Sequence, residues 1–173
     1  MSSQRGPGLE FPRGPCWYTC DMPQPRLTVT GTNIDAPDAN ALADFYRRLL
    51  GWTTRTEEPG WVVIRAADGG QSLSFQTESR YVRPVWPAGP GDPQMMMHLE
   101  IKVDDLPAAV AHAVAQGATL AGFQPQDDVR VCLDPAGHPF CCSYSGPGCV
   151  SRFPGRWRTV PARAGTTAHR PGK

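Results

Sequence analysis

Hydrophobic and polar positions alternate along this chain with two periods, near 2 and near 3.6 residues, and the same succession occurs twice. The run LTVTGTNI (27–34) alternates and is rich in Thr and Val, which predicts a half-buried strand. In DANALADFYRRLLGW (38–52), Leu42, Phe45, Leu49 and Leu50 fall on one face at helical spacing. Asp38 is placed to cap that helix and Gly51 to stop it. WVVIRA (61–66) and SLSFQTE (72–78) read as strands around a turn at Asp68-Gly69-Gly70. Residues 80–94 contain Pro84, Pro87, Pro90 and Pro93, and proline at that density excludes a helix or a central strand. The pattern then restarts, with a strand at 97–103, a helix at 105–118 ended by Gly117, and strands at 128–134 and 139–144. The turn Asp134-Pro135-Ala136-Gly137 joins the last two.

The halves match in detail. Placing Asp38 on Asp105 sets Thr32, Ile34 and Ala36 over Leu99, Ile101 and Val103, the apolar face of each first strand. Gly31, Asn33 and Asp35 then lie over His98, Glu100 and Lys102 on the opposite face, because side chains alternate along a strand. Near the end of each half, Phe75-Gln76 is set against Phe140-Cys141. A period of roughly 65 residues is too long for a solenoid unit and fits a duplicated βαβββ module. The expected fold is α+β: two such modules, 26–79 and 95–146, forming a cup-shaped mixed sheet with helices outside and joined by the linker 80–94. A cup between repeats is where a small ligand would bind.

Composition narrows the function classes. At 173 residues the chain suits one domain with a sizeable core. It has no apolar run of about 18 residues, which argues against a membrane span. A formal net charge of +1 lacks the basic excess of a nucleic-acid binder. No apolar run of signal-peptide length opens the chain, so a cytoplasmic location is expected. Residues 1–25 and 147–173 are rich in Pro and Gly without periodicity and are expected to be mobile, the second also basic. Met22, just ahead of the first strand, is a possible biological start. The six cysteines read as reduced thiols rather than a disulfide framework. Cys16 and Cys20 have no partner pair at zinc-finger spacing, and Cys132, Cys141 and Cys142 lie in strand-like runs that would bury them.

The runs FYRRLLGW (45–52), HLEIKVDDL (98–106) and DPAGHPFC (134–141), in that order within a duplicated chain, resemble the vicinal oxygen chelate superfamily of glyoxalases, bleomycin-resistance proteins and dioxygenases. The Pro- and Trp-containing linker followed by MHLEIKVDD is similar to its glyoxalase-like branch in high-GC bacteria, the actinobacterial glyoxalase-like domains. The resemblance implies a homodimer as the assembly. It also implies a divalent metal held by four residues, on the first and last strand of each half. Those positions fall here on Gly31, Gln76, His98 and Cys141, with Glu100 as a replacement carboxylate. His98, Gln76 and Glu100 are thus the candidate ligands of an incomplete site, and no cofactor is expected.

Two functions stay open. One is a protein that binds a small organic molecule in its cup, with Trp61, Phe75, Tyr81 and Trp86 available to stack on a flat ligand. The other is a divalent-metal-dependent lyase, isomerase or dioxygenase, in which Glu100 or His98 would move a proton. Each candidate also has an ordinary reading: His98 as a wall residue, Glu100 as solvated or paired with Lys102, His138 as a turn residue, His112 as exposed on its helix, and Trp86 as packing or a lid.

Overall fold

The computed structural model describes residues 26–144, so both terminal extensions, with Cys16, Cys20 and Met22, lie outside the described residues. The element order is β1 (Gly31–Ala36), α1 (Ala39–Leu50), β2 (Thr53–Glu58), β3 (Trp61–Arg65), β4 (Ser72–Thr77), β5 (Leu99–Val103), α2 (Leu106–Gln116), β6 (Thr119–Leu120), β7 (Val129–Leu133) and β8 (Pro139–Tyr144). These make two four-stranded sheets of matching order, β1-β4-β3-β2 and β5-β8-β7-β6. In each, the first strand pairs in parallel with the last and the other pairs are antiparallel. The fold is α+β, with two βαβββ modules and no closed barrel.

The helices start where their caps put them. Asp38 accepts a hydrogen bond from Ala41 N at 3.0 Å and Asp105 from Ala108 N at 2.9 Å, each satisfying a backbone donor that the first turn leaves open. Gly51 and Gly117 cap the other ends. The apolar face of α1 is Leu42, Ala43, Phe45 and Tyr46, all buried.

One core spans both modules. Tyr46 stacks on Phe75 of β4, with centroids 5.5 Å apart and planes at 22°, and meets Phe140 of β8 edge-on at 6.2 Å. The module helices also touch directly: Arg48 Nε donates to Gln116 Oε1 at 3.2 Å, and His112 Nε2 donates to the Leu49 carbonyl at 3.2 Å. A smaller core of Ala121, Val131 and Cys141 lies on the face of the second sheet away from α2, covered by Trp86 of the linker. Trp86 is held there by a 3.3 Å bond from its indole N–H to the Phe123 carbonyl.

Three expectations need correction. The first strand starts at Gly31 rather than Leu27, because its pairing with β4 begins at Gly31 opposite Ser72 and Leu27 and Val29 are exposed. Strands β2 and β6, which a βαβββ module requires, were not placed on residues. β2, TTRTEE, is an exposed edge strand without an apolar alternation, and β6 is two residues long. Finally, Gln76 is not the counterpart of Cys141. Asp105 lies 67 positions after Asp38, and Phe140 opposite Leu99 lies 67 after Leu73 opposite Thr32. One offset therefore holds for both first and last strands, and it sets Ser74 against Cys141 and Gln76 against Ser143. Matching Phe75 to Phe140 by residue type caused the shift, since Leu73, two positions earlier, is the counterpart of Phe140.

Candidate functional site

A cavity of about 360 Å³ opens where the edge of β1, the start of β5 and both ends of the linker converge. Ile34, Val82, Leu99 and the run Met95–Met97 give it an apolar lining, and Tyr46, Tyr81, His98 and His138 add polar atoms. Among the described residues that line it there is no Lys or Arg, and Asp35 is its acid. Apolar walls with a few placed polar groups are the usual make-up of a small-molecule site, and the volume lies within the usual range.

Beside it, β5 and β8 bring three possible metal ligands together. His98 Nε2 lies 2.6 Å from Glu100 Oε1, and these atoms with Cys141 Sγ all fall within 4.8 Å of one another. Side-chain alternation explains the grouping: His98, just ahead of β5, and Glu100 within it are two apart along the chain, and Cys141 is directly opposite Glu100. Glu100 is bonded to His98 rather than to Lys102, which corrects that expectation. Cys141 is 1% exposed, beneath Trp86. Burial, and then the neighbouring Glu100 carboxylate, push its thiol up to about 12, so it is a neutral S–H at ordinary pH.

The first module has nothing comparable on this face. The counterparts of His98, Glu100 and Cys141 are Gly31, Asn33 and Ser74, and Ser74 Oγ donates to Asn33 Oδ1 at 3.1 Å. Gly31 is closed to any side chain, because a Cβ there would lie 2.6 Å from the Ser72 carbonyl oxygen.

A second polar group forms the cavity's inner wall. Asp134, 1% exposed, accepts from Tyr46 Oη at 3.0 Å and lies 2.9 Å from His138 Nδ1, both through Oδ2. Its Oδ1 accepts from the Gly137 and His138 backbone N–H groups at 2.7 and 2.9 Å. The Tyr81 hydroxyl lies 3.1 Å from His138 Nε2 and 3.0 Å from the Ala136 carbonyl. Burial, then the Asp134 charge, raise Tyr81 from its ordinary 10.0 to about 12 and Tyr46 well above 10.0.

Of the residues singled out from sequence, His98, Tyr81 and His138 border the cavity. Phe75 is fully buried on the helix side, facing Tyr46 rather than the cup, so it cannot stack on a ligand. Trp86 packs on the second sheet. Trp61 and Gln76 pair with each other across β3 and β4, on the face of the first sheet opposite Phe75, and are not in the cavity lining. Cys132 and Cys142 are buried free thiols. Tyr46 and the Met95–Met97 run went unrecognised as wall residues, and so did Asp134 as the group behind the wall. Tyr46 shares the helical face of Leu42 and Phe45, which was the available signal.

A family model described as a glyoxalase-like domain matches residues 31–143. Among solved structures, a glyoxalase/bleomycin resistance protein/dioxygenase family enzyme from Burkholderia phytofirmans PsJN is similar at 21% identity, covering 66% of this chain and 96% of that one with a TM-score of 0.51. A glyoxalase-related enzyme from Fulvimarina pelagi is similar at 20% identity, covering 68% and 88%, with a TM-score of 0.51. A protein from Agrobacterium tumefaciens solved by NMR aligns at 17% identity over 70% and 100%, with a TM-score of 0.53. At these identities the likeness concerns the fold. A search of curated proteins finds no significant match.

Proposed function

Since the chain belongs to the glyoxalase-like domain family, and with it to the vicinal oxygen chelate superfamily, we propose that it binds a small organic molecule in the cavity between β1 and β5 without a complete metal centre. The observation that carries this reading is the asymmetry of the two modules. A four-ligand site draws two donors from each half, and here the first half offers a sterically closed glycine and a Ser–Asn pair bonded to itself. The donor set therefore does not fit the family's metal.

The alternative, a divalent-metal-dependent lyase, isomerase or dioxygenase, is favoured by one observation: the approach of His98, Glu100 and Cys141 to within 4.8 Å. Three ligands from one module would hold an ion more weakly than two from each. No catalytic step is derived through it.

The ligand of this reading is neutral or cationic and mostly apolar, given a lining with Asp35 and no Lys or Arg. The flexible thioethers of Met95–Met97 suit a site that adapts to its occupant. Met96 and Met97 are exposed beside the cavity, and a second copy of the chain covering them is part of the proposal, testable by light scattering. The functional test is a thermal-shift and native mass-spectrometry screen of aromatic natural products, run with EDTA present. Hits that persist with chelator support the reading. A panel without hits, alongside metal-dependent turnover of any substrate, overturns it.

A further inference from the structure

The inner wall of the cavity has an order of hydrogen bonds that can be counted. A carboxylate only accepts, so the hydrogen between Asp134 Oδ2 and His138 Nδ1 belongs to the imidazole. In the neutral ring, the lone pair is then on Nε2, aimed at the Tyr81 hydroxyl 3.1 Å away. Tyr81 has one hydrogen and faces two acceptors, His138 Nε2 and the Ala136 carbonyl. Whichever it serves, its oxygen keeps a lone pair, and Tyr81 is part of the cavity lining. Donation toward an imidazole anchored on Asp134 polarises that oxygen and strengthens it as an acceptor. Its raised titration point keeps the phenol protonated. A turn aspartate needs only the Gly137 and His138 N–H groups; reaching Tyr81 through the histidine ring exceeds what the turn requires.

We propose that the Tyr81 hydroxyl, backed by His138 and Asp134, is the polar anchor of this cavity. It takes a neutral, largely apolar ligand through that ligand's own hydroxyl, as a phenol or enol donates one. An anionic group fits poorly here, because Asp35 lines the cavity, Asp134 lies behind it, and no Lys or Arg is among the described lining. This proposal rests on the reading of the cavity as a ligand site, and its test separates the two.

The test uses the full chain, isotope-labelled for NMR, titrated with 2-naphthol, 2-methoxynaphthalene and 2-naphthoate. A single neutral hydrogen bond predicts that 2-naphthol binds roughly tenfold tighter than its methyl ether, which cannot donate, with 2-naphthoate weakest. Y81F brings 2-naphthol and 2-methoxynaphthalene within about twofold of each other. Equal affinities in the unaltered chain, or a preference that survives Y81F, overturn the anchor and leave the binding site standing. Failure of all three probes to bind counts against both. Should Y81F not fold, the His138 ring-nitrogen resonances of the unaltered chain decide. A shift on adding 2-naphthol but not its ether supports the anchor, and no difference overturns it.

Discussion

On the helix side the two modules solve the same problem with the same parts: Asp38 and Asp105 cap, Gly51 and Gly117 stop, and Leu73 and Phe140 pack beneath. On the other face, Gly31, Asn33 and Ser74 stand where the second module has His98, Glu100 and Cys141. The second sheet also carries the linker's Trp86 on that face, while the corresponding turn of the first module stays exposed. The difference teaches that the buried face of a βαβββ unit holds the fold, leaving the concave face free to diverge in chemistry. On the proposed reading, ligand binding is carried by what the halves do not share, which includes Tyr81 and His138 of the cavity wall with Asp134 behind them.

The turns offer the sharpest break of this comparison. Asp134→Ala strands the buried Tyr46 hydroxyl and two backbone donors, and is expected to cost about 3 kcal/mol of stability in urea denaturation. Asp68→Ala, in the exposed turn of the first module, is expected to change stability by no more than about 0.5 kcal/mol. Equal losses would show that the two turns carry the same load.

Alkaline pH probes the same wall. The folded chain raises Tyr81 above its ordinary 10.0, so it favours the neutral phenol. That contribution is complete below pH 10.0 and disappears as pH climbs toward about 12. Stability measured across that window should fall, and Y81F should flatten part of the fall. An unchanged slope in Y81F would remove Tyr81 from the buried network.

The caps should differ least. Asp38→Ala and Asp105→Ala are each expected to lower stability by about 1 kcal/mol, since each loses one side-chain bond to a first-turn N–H. A much larger loss in one module would mean that its helix start carries tertiary contacts beyond the cap.

Helices, caps, linker and duplication were legible because each has a local physical signature: periodicity near 3.6, Asp ahead of an apolar stripe, clustered proline. β2 was not, since an exposed edge strand of Thr, Arg and Glu has no apolar face to announce it. The site was legible only in part. His98 and Glu100 could be placed on one face by alternation, whereas Cys141 entered through the family resemblance and its place opposite Glu100 required the strand register. Phe75 looked like a cup aromatic because alternation cannot say which face of a strand meets the helix. Asp134 and His138 read as turn chemistry, and their link to Tyr46 and Tyr81 spans 88 and 57 residues, a separation that no local pattern reports.

The reading depends most on the cavity working without the family's metal. The direct measurement is elemental analysis by plasma mass spectrometry of chain purified without chelator, then incubated with zinc, nickel or manganese and desalted. The account predicts far less than one divalent ion per chain in every case. One ion retained per chain, lost on replacing His98 and Glu100, would contradict it.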